Sequence, residues 1–111
     1  MDMFEALGQT KRREMVQIIA KNGTMTATQI SRHFKVTPQA ISQHLKLLCQ
    51  ANVLSMQRVA QMRLYSVNPK SVGEFNKWSN EVLQLWDNRL DRLDKIIERE
   101  KKKTGEKTNG N

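Results

Sequence analysis

Gln39, Ser42, Gln43 and Lys46 are the side chains in this sequence best suited to reading another molecule. A primary amide both donates and accepts hydrogen bonds along one edge, as the major-groove edge of adenine requires. A hydroxyl and an ammonium group suit phosphate oxygens. All four fall largely off the stripe made by Ile41, Leu45 and Leu48, whose spacings of four and three mark the buried side of a helix. Thr37 can cap the free N–H groups at the start, and Pro38 takes the first helical position, where its missing N–H costs nothing. The expectation is a helix over 37–50. Its inner face holds it in place, and Gln39, Ser42 and Gln43 are free to meet base edges. Thr37, His44 and Lys46 are candidates for phosphate contacts.

The charge around this helix points the same way. The chain of 111 residues has a net charge of +8, with an isoelectric point near 10.0. Between residues 15 and 73 there is no Asp or Glu, while Lys21, Arg32, Lys35, Lys46, Arg58, Arg63 and Lys70 all lie there. A surface of one sign over half the chain attracts polyanions. No long apolar run or strongly amphipathic basic helix favours a membrane, and no signal segment opens the chain. The single cysteine, Cys49, excludes an intrachain disulfide and fits a reducing cytoplasm. Next to Leu48 it reads as a structural thiol.

Catalytic groupings are missing. His33 and His44 are the only histidines, and neither has a Cys or His partner at metal-ligand spacing. There is no phosphate-cradling glycine loop and no nucleophile elbow. The expectation is a protein that is not an enzyme and carries no metal or other cofactor.

The elements that must position the reading helix follow from the pattern on either side. Met3, Phe4 and Leu7 form a short first helix ending at Gly8, where a left-handed turn is expected. Thr10 is expected to cap a second helix, striped by Met15, Ile18 and Ile19 and stopped by Asn22 and Gly23. Thr26 and Gln29 make a capping box for a brief third helix whose inner side is Ala27, Ile30 and Phe34. About three residues then separate it from the reading helix, a helix-turn-helix pattern. After Asn52 come two β-like runs over 53–67, with residues 60–62 at the tip. The missing glycine predicts a longer, looser turn. Arg58 and Arg63 lie on the two arms as candidate phosphate or minor-groove contacts. From Lys70 to about residue 100 the pattern is helical, with a break expected near Gly73. Trp78, Val82, Trp86, Leu90, Leu93 and Ile97 give this helix more apolar face than a small domain covers. A second copy, paired in a coiled-coil-like seam, is the simplest cover. Residues 1–100 therefore read as one domain, and 101–111 as a disordered basic tail.

This order of elements resembles the ArsR-type winged-helix repressors of bacteria, in a branch that does not sense metals. Met3 to Leu7 followed by Thr10 to Met15, the helix of residues 26–34, and above all Ile41 to Leu48 carry the likeness. The run Leu85 to Leu93 is similar to the last helix of that branch. The resemblance implies a mostly α fold with a small β-hairpin wing, and a homodimer built from the first and last helices, with Phe4 and Leu7 joining the long-helix stripe. It also implies an operator with two-fold symmetry on double-stranded DNA, and repression relieved by an effector that no residue here names. Metal-sensing members place cysteines on the helix at 26–33, or Asp and His on the last helix. This chain has no Cys in the first and no His in the second. Two other readings compete: a non-specific architectural nucleic-acid binder, and a protein–protein adaptor. The two-faced reading helix opposes the former and the acid-free interval the latter.

Overall fold

A computed structural model describes residues 1–103. Most of the expected basic tail therefore lies outside the described residues, and its first three residues, Lys101, Lys102 and Lys103, are helical. The elements run α1 (Met3–Leu7), α2 (Thr10–Asn22), β1 (Met25–Thr26), α3 (Ala27–Ser31), α4 (Pro38–Gln50), β2 (Leu54–Val59), β3 (Met62–Val67) and α5 (Pro69–Lys103). The chain divides into two units, Met1–Phe75 and Asn76–Asn111.

The first unit is built around Met15 and Ile19 of α2, Ile30 of α3, Ile41, Leu45 and Leu48 of α4, and Val53 after it, all fully buried. Burying each aliphatic side chain contributes about 1.5–3 kcal/mol. The stripe on α4 is therefore anchored strongly enough to fix the direction of its other face.

Local chemistry sets the ends of the elements. The Asp2 carboxylate accepts from the Glu5 N–H at 2.8 Å and starts α1. At the other end Gly8 has φ −69, so the expected left-handed turn is absent. Two arginines from α2 satisfy the free carbonyls instead. Arg12 Nε donates to the Ala6 carbonyl at 2.6 Å, and Arg13 Nη1 to the Leu7 carbonyl at 2.7 Å. Helix α2 also starts differently from expectation. Gln9 is its cap residue, with no side-chain cap bond, and the Thr10 hydroxyl accepts from Arg13 Nη2. Its end is as expected, with Gly23 at φ +87. The capping box is present in both directions, between Thr26 Oγ1 and the Gln29 N–H and between Gln29 Oε1 and the Thr26 N–H. Helix α3 stops at Ser31, so residues 32–37 separate the two helices, more than the three expected.

The hairpin belongs to a three-stranded antiparallel sheet in the order β1-β3-β2. Strand β1 is too short to leave a periodic trace in the sequence, and it doubles as the lead-in to α3. The hairpin turn is tight rather than loose. Val59 pairs with Met62, leaving only Ala60 and Gln61 between the strands, and Ala60 takes φ +55 in place of a glycine.

Helix α5 runs without a break through Gly73, where an added Cβ would meet nothing within 4 Å. An isolated glycine in a helix costs about 1 kcal/mol relative to alanine, too little to stop a helix of this length. The portion of α5 in the second unit exposes Val82, Trp86, Leu90, Leu93 and Ile97. Among the described residues, no helix is long and apolar enough to cross a membrane.

Candidate nucleic-acid interface

Helix α4 is positioned from its first turn. The Thr37 hydroxyl accepts from the Ala40 N–H at 3.1 Å, and Pro38 follows at the first helical position. With Ile41, Leu45 and Leu48 buried, Gln39, Ser42, Gln43 and Lys46 are all exposed. They form one wall of a cleft of about 950 Å³. The hairpin supplies the facing wall through Met56, Arg63 and Tyr65, and Pro38, Cys49 and Gln50 complete the lining.

Strand register explains the hairpin's contribution. Met56 pairs with Tyr65 and Arg58 with Arg63, two steps apart on the ladder, so all four side chains share one face. Arg58 and Arg63 thus stand directly opposite one another at exposed positions near the tip. Like charges across a strand pair repel, and an anion placed between them relieves the repulsion. Among the described residues no ion pair occupies Lys46, Arg58 or Arg63. The cleft combines amide and hydroxyl groups, two cations and a partly apolar floor. That set can accept a sugar-phosphate strand or the edge of a base.

The expected site residues are not all gathered there. Gln39, Ser42, Gln43, Lys46 and Arg63 line the cleft. Arg58 pairs directly with Arg63 across the wing but is not part of the cleft lining. Thr37 sits at the helix start, its hydroxyl engaged in capping. His44 is half-buried outside the lining, with Nδ1 covered and lacking a hydrogen-bond partner. Burial lowers its pKa, and the nearby positive charges of Arg12 and Lys11 lower it further. Sequence reading missed Met56, Tyr65 and Gln50. Period-two alternation from Arg58 back to Met56 would have found the first of these. Cys49 is half-buried, and burial pushes its thiol pKa up, which keeps it protonated at neutral pH. Among the described residues no three Cys, His, Asp or Glu side chains cluster to hold a metal ion.

Comparison with known proteins settles the class of this scaffold. Residues 9–55 match the bacterial regulatory protein, arsR family. The transcriptional repressor SdpR of Bacillus subtilis is 34% identical over 89 residues, covering 80% of this chain and 98% of that one. The chain belongs to the ArsR family. A solved structure described as a "possible transcriptional regulator for arsenical resistance" is 27% identical, with a TM-score of 0.68 over 86% of this chain and 96% of its own. An ArsR-like transcriptional regulator from Rhodococcus sp. RHA1 gives a TM-score of 0.73 at 22% identity, covering 84% of this chain and 87% of that one, a likeness of fold. The mostly helical fold with a small antiparallel sheet is therefore the winged helix-turn-helix of this family, β2 and β3 forming the wing. The protein is a transcriptional regulator of a DNA-binding, non-enzymatic family.

Proposed function

We propose that this ArsR-family regulator is a dimeric, sequence-specific repressor acting on a palindromic DNA operator. Helix α4 enters the major groove, and Gln39, Ser42 and Gln43 read base edges. Thr37, His44, Lys46, Arg58 and Arg63 contact the phosphate backbone or, from the wing, the minor groove; His44 is the least exposed of the five. The observation that carries this reading is the cleft, where an exposed amide and hydroxyl row on α4 faces a wing arginine inside an acid-free stretch of chain. The repressor named in Bacillus subtilis, similar over most of both chains, supports the direction of regulation.

Two-fold symmetry follows from a second copy. Phe4 and Leu7 of α1 join Trp78, Val82, Trp86, Leu90, Leu93 and Ile97 of α5 as the dimer contacts. The Phe4 and Phe75 rings lie 5.5 Å apart and tie α1 to the start of α5 within the first unit. Dimer symmetry places two α4 helices one DNA turn apart, about 34 Å. No metal or cofactor takes part in this reading.

Selecting bound duplexes from a random pool tests it. The expected product is a palindrome with half-sites about 10 base pairs apart; a pool that emerges without sequence preference sinks the reading. At the selected site, Gln43→Ala is expected to cost on the order of 1–3 kcal/mol while binding to random DNA changes little. Equal loss on both would remove Gln43 from the base-reading set.

A further inference from the structure

We propose that the recess between the end of α2 and α3 binds a small free oxyanion, a phosphate or carboxylate compound, and that its occupancy weakens DNA binding. The site itself does not depend on the operator reading above; its effect on DNA rests on that reading.

The recess has a volume of about 360 Å³ and is lined by Asn22, Thr24, Met25, Gln29, Arg32 and His33. That volume lies at the lower end of the range for small-molecule sites. The recess shares no residue with the cleft between α4 and the wing. Its chemistry is one-sided. Arg32 is exposed and, among the described residues, makes no ion pair. A guanidinium offers several N–H donors and accepts nothing. Gln29 gives its amide oxygen to the Thr26 N–H at 2.9 Å, so its amide nitrogen is the end left for a ligand. Asn22 donates one amide N–H to the Ile18 carbonyl at 2.9 Å, which holds the side chain and leaves the second N–H. The Thr24 hydroxyl and the His33 ring add further donors. No carboxylate or thiol lines the recess, so it lacks the anionic ligands on which most metal sites draw. An oxyanion matches a donor-rich recess with one fixed positive charge, and Arg can hold it through two parallel hydrogen bonds.

The floor connects this site to the DNA-facing side. Met25 is buried and pairs with Tyr65 of β3. Side chains of directly paired residues share a face, their Cβ atoms about 4.5–5.5 Å apart. Tyr65 in turn lines the cleft, on the strand that carries Arg63. The β1–β3 pairing thus gives a shift of Met25 a direct route to the wing. The charge of the ligand acts in the same place: it offsets Arg32 in the field that draws DNA and so opposes binding of a duplex.

Inorganic phosphate is the probe, titrated into the full chain at constant ionic strength. In NMR spectra without DNA, the Arg32 Nε–H, the Gln29 side-chain amide and the Met25 methyl signals are expected to shift together and saturate. Arg32→Gln is expected to raise the phosphate dissociation constant on the order of tenfold. Shifts that never saturate, that are as large at Arg63 as at Arg32, or that survive Arg32→Gln unchanged would overturn the site. In titrations with the selected operator, phosphate is expected to weaken binding several-fold, the loss levelling off as the recess fills. Arg32→Gln should lack this saturable loss. A loss that grows without limit in the parent and is absent from Arg32→Gln would mean that a backbone phosphate of the duplex fills the recess, which overturns the free-anion assignment. No loss at all would overturn the coupling to the wing. Saturable phosphate binding in a protein that binds no duplex would support the site and sink only the operator reading.

Discussion

Gln43 and His44 are neighbours on one helix with different surroundings. Gln43 faces the open cleft, whereas His44 has one ring nitrogen covered and unpartnered. Burial, then Arg12, then Lys11 oppose protonation of His44, so its folded pKa lies below the 6.5 of a free imidazole. The unfolded chain thus binds this proton more readily than the folded one. The stability this group contributes is present above about pH 6.5 and falls as the pH drops through the lower, folded pKa. The expected outcome is a urea midpoint that declines between pH 7.5 and 5.5 and declines less in His44→Gln. Equal decline in both proteins would assign the effect elsewhere. Periodicity alone set Gln39, Ser42 and Gln43 outside the core. It could not place His44, because the charges that govern that ring come from α2, a contact made only by folding.

Elements were legible where one short segment carries its own instructions. The Thr26–Gln29 box and the Thr37 cap with Pro38 are local, and each is readable from the side chains involved. The α1 terminus was not, because its carbonyls are closed by guanidinium groups from the next helix. Nor was β1, which exists only by pairing with β3. The wing turn is the clearest departure. The absence of glycine argued for slack, yet cross-strand pairing from Leu54 with Val67 through to Val59 with Met62 closes the hairpin and leaves Ala60 to adopt φ +55. A Cβ in the left-handed region costs about 1 kcal/mol or more, which glycine escapes. Ala60→Gly is therefore expected to raise unfolding stability by about 0.5–1 kcal/mol in urea titration, the gain being reduced by the greater entropy of the unfolded glycine chain. A loss of stability would show that the turn is not strained at Ala60.

Across the whole molecule the charge is divided. Residues 15–73 carry cations without acids, while all of the Asp and Glu residues lie before or after them. This division is visible in the sequence; the structure adds that Arg63 and Lys46 share one cleft and that Arg58 and Arg63 face each other across the wing. Such a distribution gives two separable contributions to DNA binding. The phosphate contribution is salt-dependent, because each neutralised phosphate releases a counterion and adds about 0.9 to the slope of log affinity against log salt. The base-reading contribution depends on sequence and leaves that slope nearly unchanged. Arg63→Ala, removing one contact from each half of a dimer, is thus expected to weaken binding to every duplex and to flatten the slope by about 2. Gln43→Ala should lower affinity at the selected operator and leave the slope within about 0.5 of the parent. Titrations from low to moderate salt with the operator and with a scrambled duplex separate the two. If Arg63→Ala left the slope unchanged, the wing would not touch phosphate. If Gln43→Ala cost as much affinity on the scrambled duplex as on the operator, the amide would belong to the backbone contacts and the reading face would narrow to Gln39 and Ser42.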